Sequence, residues 1–258
     1  MRDAPSPPKD LSSTSFGTAS SPVPQAPKRE RPIIAIDGPA GAGKSTLAAH
    51  LARRFGLLNL ETGAMYRALA LKAIESDLDF DVEGPMVAVA NHTTINLEPS
   101  REGNRVLLDK VDVSRRVRDA DVTAAASRIS IHPQVRAWMV AQQRALGRDG
   151  GVVMEGRDIG TEVFPDAEVK IFLDAAPEVR GSRRFQQNAI QPITKAPLDA
   201  QTEAAILRDL QERDARDRNR ADSPLKPAAD AHLIDSTALT LDEVLARSEE
   251  IVRQHLPS

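Results

Sequence analysis

The chain has 258 residues, 41% of them hydrophobic and 28% charged, with a formal net charge of −3 and no cysteine. That is the composition of an ordinary folded domain: no apolar run approaches the roughly 18 residues of a membrane span, and disulfides, thiolate metal sites and cysteine nucleophiles are excluded. The slightly acidic balance supplies no general drive toward nucleic acid or an anionic membrane, so neither partner is expected. Without cysteine there is no hint of an oxidising compartment, so the cytoplasm is the default, and nothing demands more than a monomer.

Residues 1 to about 30 are rich in proline and serine (Pro5, Pro7, Pro8, Pro22, Pro24, Pro27 and their serine neighbours) and hold almost no large apolar side chains. Such a stretch cannot bury enough surface to offset its ordering entropy, so a disordered tail is predicted there. It does not read as a secretory signal peptide. From residue 31 onward, short apolar runs alternate with helical patterns, the signature of βαβ units around a parallel sheet. Five buried strands are predicted: Ile33–Asp37, Leu57–Leu60, Val152–Glu155, Val169–Asp174 and His232–Asp235. Amphipathic spacing predicts helices over Lys44–Phe55, Pro133–Leu146 and the segment beginning at Leu241.

About ninety residues separate the second and third predicted strands, far more than a crossover helix needs, so an insertion is expected between them. Within it, Thr94–Val113 alternates around the turn-forming Glu98-Pro99-Ser100-Arg101-Glu102-Gly103-Asn104, which reads as a small antiparallel sheet on a projecting lobe.

The strongest chemical signal is Gly38-Pro39-Ala40-Gly41-Ala42-Gly43-Lys44-Ser45, a G-x-x-x-x-G-K-[ST] loop between a predicted strand and a predicted helix. Glycines let the backbone turn its N–H groups onto a phosphate, and the helix N-terminus adds unpaired donors. Lys44 would meet the β- and γ-phosphates and the Ser45 hydroxyl would ligate Mg²⁺. A second acidic group is needed near the metal. Glu155, at the end of a predicted strand, is favoured as a water-mediated contact, with Asp37 as the alternative.

GTPases, motors and small-molecule kinases share this loop. No Asn-Lys-x-Asp guanine-reading motif is present, which disfavours a GTPase. Arginines recur beside small polar or acidic partners at Thr62–Arg67, Glu155–Asp158 and Arg213–Arg220. Guanidinium forks match phosphate oxygens in a bidentate way, as is needed where two mutually repelling phosphorylated substrates meet.

With the loop, these segments resemble the bacterial cytidylate kinases of the nucleoside monophosphate kinase superfamily. The resemblance runs from about Ile33 to the end of the last helix and rests on Ile36-Asp37-Gly38-Pro39, Glu61-Thr62-Gly63-Ala64-Met65-Tyr66-Arg67, Glu155-Gly156-Arg157-Asp158-Ile159-Gly160-Thr161, and Arg213 through Arg220. Glu61-Thr62-Gly63 stands where some members have Asp-Ser-Gly, and Glu155 where some have Asp; both changes keep the chemical group.

The resemblance implies an α/β fold of the P-loop NTPase type: a five-stranded parallel sheet flanked by helices, spanning residues 31–258, with an inserted acceptor-binding lobe over about 61–130 and a mobile lid over about 178–220. It implies transfer of the γ-phosphoryl group of ATP to CMP, with dCMP a second acceptor and Mg²⁺ as cofactor. ATP would be held by the loop residues Gly38 to Ser45 and by Thr46. Asp158 would face the cytosine amino group, with Thr62 and Arg136 completing the base pocket. Ser127, Arg213 and Asp217 would surround the ribose, and Arg67, Arg157 and Arg220 the CMP phosphate. Lys44, Arg157, Arg183 and Arg184 would meet the charge on the transferred group. Tyr66 is open to two readings, core packing or acceptor contact, as is Arg136, on a solvated face or in the site. Trp138 is assigned to packing.

Overall fold

The computed structural model describes residues 29–100, 103–190 and 203–256. The predicted tail up to residue 28, and the part of the predicted lid at 191–202, lie outside these described residues. Tertiary anchorage begins slightly before the predicted start of the domain: the Arg29 guanidinium pairs with Asp166 at 2.5 Å and Glu168 at 3.1 Å.

In chain order the elements are β1 (Ile33–Asp37), α1 (Lys44–Phe55), β2 (Leu58–Glu61), α2 (Thr62–Glu75), α3 (Glu83–Asn91), β3 (Ile95–Ser100), β4 (Gly103–Leu108), β5 (Val111–Asp112), α4 (Ala120–Ile129) and α5 (Pro133–Leu146). There follow β6 (Val152–Gly156), β7 (Val169–Asp174), α6 (Pro177–Ile190), α7 (Glu203–Asn219), β8 (His232–Asp235) and α8 (Leu241–His255). Five strands form one parallel sheet in the order β2-β6-β1-β7-β8, and β3-β4-β5 form the small antiparallel sheet. Both sheets were legible in the hydropathy pattern. The second strand begins one residue later than predicted because Leu57 closes α1: Gly56 turns left-handed (φ 64°) and the Leu57 N–H donates to Ala52 O.

Alternation along β1 sends its side chains to two separate apolar layers. Ile33 and Ala35 pack with Leu60, Met154 and the helices α2, α4 and α5, while Ile34 and Ile36 pack with Val153, Ile171, α1 and α8. β1 is therefore buried on both faces, which explains its continuous apolar run. Trp138 packs against the first of these layers, as assigned. Because β1 lies between β6 and β7, the chain leaves β1 toward one side of the sheet for β2 and later returns on the other for β7. The crevice at the carboxyl ends of these strands is where α/β sheets bind ligands.

The phosphate loop leaves β1 at its carboxyl end under tight steric terms. Gly38 has φ 149°, and a Cβ there would lie 2.0 Å from Leu173 O on β7. Gly38→Ala should lower the unfolding free energy by more than ~2 kcal/mol in urea titration; unchanged stability would contradict this close approach.

Candidate active site

The loop wraps toward the cleft with Gly41 and Gly43 also at positive φ, and α1 begins at Lys44. Lys44 is buried and its Nζ donates to Pro39 O at 2.7 Å, so its charge is held over the mouth of the loop. In front of it lies a cleft of about 730 Å³. The loop from Ala40 to Thr46 lines one side; Arg67, Glu155, Arg157, Arg183, Arg184 and Arg213 converge on the same space from α2, β6, α6 and α7.

This convergence shifts the ionisation of its members. Burial, reinforced by Arg157, pulls Lys44 down to about 7. Burial and Arg157 likewise pull Arg213 down to about 10, and burial lowers Arg184, with Arg67 adding to it. Burial pushes the Glu155 carboxyl up, with Glu61 adding to it and Lys44 opposing. Burial also works against ionisation of Glu61, but Arg67, whose Nη2 donates to it at 2.5 Å, outweighs that and holds it below the ordinary range. Asp217 is depressed in the same manner, by Arg157, Arg213 and Arg220 against its own burial. Its Oδ2 accepts from Arg157 Nε at 2.9 Å.

A second, more enclosed cluster sits beside this cleft. Asp158, buried after β6, pairs with the equally buried Arg136 of α5 and stands 3.9 Å from Arg220 Nη2. Arg136 Nη1 lies 3.4 Å from the Tyr66 hydroxyl. Arg136 is thus no solvated face, and Tyr66 has its hydroxyl in this cluster while its ring packs on the core. Burial pushes that hydroxyl up to about 12, so it is a neutral donor at physiological pH. Thr62 donates its hydroxyl to Glu155 O at 2.7 Å, tying the start of α2 to β6. Ser127 of α4 has a buried Oγ that meets no hydrogen-bond partner among the described residues, and the same holds for Arg67 Nε and Glu155 Oε1.

Three expectations change in the structure. Asp37, the alternative metal carboxylate, is occupied elsewhere: its two oxygens accept the backbone N–H groups of Ile159 at 2.8 Å and Gly160 at 2.7 Å. Arg183 donates to Ser236 Oγ at 3.0 Å and Ser236 O at 2.8 Å, so in this conformation it faces the β8 end of the cleft instead of the loop. Arg220 lies in the Asp158 cluster and donates Nε to Ser223 O at 2.7 Å, away from Arg67. Two residues carried more than their sequence context disclosed. Arg180, almost fully buried, donates to Ala175 O at 2.8 Å and Ala40 O at 2.9 Å and pairs with Asp214 at 2.6 Å, bracing the phosphate loop against α7. Arg118 lines the cleft from the inserted lobe, where no motif marked it.

Fold and cleft together define a P-loop nucleotide-binding protein with a second, acid-and-guanidinium pocket beside the phosphate loop. Residues 34–254 match the family model described as cytidylate kinase. A curated cytidylate kinase from Aeromonas hydrophila is 44% identical over 225 residues, covering 87% of this chain and 95% of the relative. Those from a Geobacillus species and from Enterococcus faecalis are each 45% identical, covering 86% of this chain and 97% and 95% of their own lengths. The chain belongs to the cytidylate kinase family.

The buried Arg136–Asp158 pair generates a stability test. Removing one partner of a buried pair leaves an uncompensated charge, so Asp158→Ala should cost about 3–5 kcal/mol in urea titration, and adding Arg136→Met should restore part of it. Additive losses in the double variant would mean that the two side chains are not coupled.

Proposed function

We propose that this enzyme transfers the γ-phosphoryl group of ATP to CMP, giving ADP and CDP, and that it also accepts dCMP. The observation that carries this is the adjacency of two clusters, the cationic cleft and the enclosed Asp158 pocket, joined through the Arg157–Asp217 pair and Arg220. Cations converge between a loop built for a triphosphate and a pocket whose buried carboxylate, Asp158, suits a base with an exocyclic amino donor. Family membership supports the same acceptor.

In this reading the backbone N–H groups of Gly38 and of Ala40 to Thr46 hold the donor phosphates, and Lys44 exchanges Pro39 O for phosphate oxygens. Arg67 and Arg157 take the acceptor phosphate, releasing Glu61 and Asp217. Ser127, with its unpartnered buried hydroxyl, together with Arg213 and Asp217, orients the ribose. Thr62, Tyr66, Arg136, Asp158 and Arg220 form the base pocket. Arg184, on α6, meets the transferred group, and Arg183 joins it when the lid, taken as about 178–220, closes with the acceptor lobe of about 61–130. Closure excludes water, the competing acceptor.

Ser45 and Glu155 suit a hydrated Mg²⁺: Glu155 is buried at the loop with Oε1 free of partners among the described residues, and the Ser45 hydroxyl favours its ionised form. Bound there, the ion would neutralise charge on the donor phosphates. The protein's own task is in-line positioning and cationic stabilisation; no general base is needed, since the acceptor phosphate is already largely ionised at neutral pH. Monomeric, cytoplasmic action on free nucleotides completes the proposal. Among the described residues no helix is long and apolar enough to cross a membrane.

A coupled ADP-release assay over CMP, dCMP, UMP and AMP tests the acceptor: CMP and dCMP should lead, and a preference for UMP or AMP would overturn the assignment. In that assay Lys44→Ala should reduce turnover at least about a hundredfold with the fold retained; near-normal turnover would remove Lys44 from the mechanism. Its depressed ionisation adds a pH test. With a value of about 7 in the free enzyme, Lys44 is about nine-tenths neutral at pH 8. Phosphate raises it, so MgATP binding at pH 8 should take up close to one proton. Calorimetry in buffers of different ionisation enthalpy reads this directly, and buffer-independent heats would contradict it.

A further inference from the structure

Asp37 is the last residue of β1, directly before the phosphate loop, yet its side chain serves a different segment. It is 5% exposed, and its two carboxylate oxygens each accept one backbone N–H, from Ile159 and Gly160, at 2.8 and 2.7 Å. Those two residues follow Arg157 and Asp158 without a gap and open a single π-helical turn, Ile159–Val163. The first N–H groups of such a turn have no partner within it, and a buried orphan donor is costly. The carboxylate therefore fixes the turn and, with it, the direction in which Asp158 leaves β6. The neighbourhood is closed on the far side as well: Gly160 packs on the Lys170 side chain, whose Nζ donates to Pro165 O at 2.5 Å and to Asp230 Oδ1 and Oδ2 at 2.9 and 2.7 Å. The charged groups acting on Asp37 are Asp158 and Lys44, one from each half of the site.

We infer that Asp37 is a positioning residue that locks the Arg157-Asp158 segment, and hence the acceptor pocket, to the root of the phosphate loop. Both its oxygens are taken by that turn, so it acts through Asp158 and Arg157. The inference rests on the reading of Asp158 as an acceptor-pocket residue. Asp37→Asn is the informative change because it keeps the shape while one oxygen becomes an NH₂ that faces a backbone N–H. The loop backbone is left in place, since β1 is paired on both sides through Asp37 itself, with Gly156 and Phe172.

The test combines amide hydrogen exchange with calorimetric binding of CMP and of MgATP, on the full chain. In Asp37→Asn the Ile159 and Gly160 amides should exchange at least about tenfold faster, and CMP affinity should fall about tenfold or more while MgATP affinity stays within about threefold. A merely structural role would weaken both nucleotides alike. Gly160→Ala supplies a second variant that disturbs the same contact from the opposite side, because its Cβ would come 3.4 Å from Asp37 Oδ2 and 3.2 Å from Lys170 Cδ. It should shift the same readouts in the same direction, and it carries the test if Asp37→Asn does not fold. Unchanged exchange at Ile159 and Gly160, equal loss of both nucleotides, or faster exchange with unchanged CMP affinity would overturn the inference. Wild-type protein that binds MgATP but not CMP would instead overturn the acceptor reading, a failure visible before any substitution is made.

Discussion

Everything in this molecule is arranged around the crowding of buried cations in one cleft. Burial, Arg157 and Arg213 lower the affinity of Lys44 for its proton, burial and Arg157 lower that of Arg213, and Arg67 adds to the load on Arg184. Holding such groups together without phosphate is unfavourable, and the structure meets the cost with carboxylates on loan: Glu61 to Arg67, Asp217 to Arg157. Nucleotide phosphates are stronger partners for the same forks. Binding energy is thereby directed to the place where charge spreads during transfer.

The parallel sheet makes that crowding possible. β1, β6 and β7 end side by side, in register at Asp37, Gly156 and Phe172, so the loop after β1 and the turn after β6 open onto the same crevice. Side-chain latches join these pieces where strand pairing stops: Thr62 to Glu155 O, Arg180 to Ala40 O, Asp37 to the turn after Asp158. The inserted lobe and the α6–α7 pair stand on opposite flanks, each contributing arginines to the cleft. Two nucleotides approaching end to end would meet groups from every part of the chain.

Much of this was legible in the sequence because it is local. β1 reads as a strand from its unbroken apolar run, α1 from Leu47, Ala48, Leu51 and Phe55, and the small sheet from alternation around the turn at Glu98–Asn104. The loop motif carries its own geometry in its glycines. What the sequence withheld is pairing across distance. Nothing near Asp37 says that the backbone donors to its carboxylate lie more than a hundred residues away, nor that Arg180 sits beneath Ala40 while its neighbours Arg183 and Arg184 face the cleft. Arg118 has an ordinary charged context and enters the cleft only because the 3₁₀ turn at Arg116–Arg118 packs beside α2. The one-residue error at β2 has the same origin, since the fate of Leu57 depends on how Gly56 closes α1.

The central claim is that donor and acceptor phosphates meet between the loop lysine and the arginine that follows β6. A crystal structure with CMP and a non-hydrolysable ATP analogue bound together measures this directly. The account predicts the γ-phosphorus between Lys44 and Arg157, with a CMP phosphate oxygen in line with it and about 3–3.5 Å away. Phosphates that lie outside that space, or cytosine seated away from Asp158 and Arg136, would contradict it.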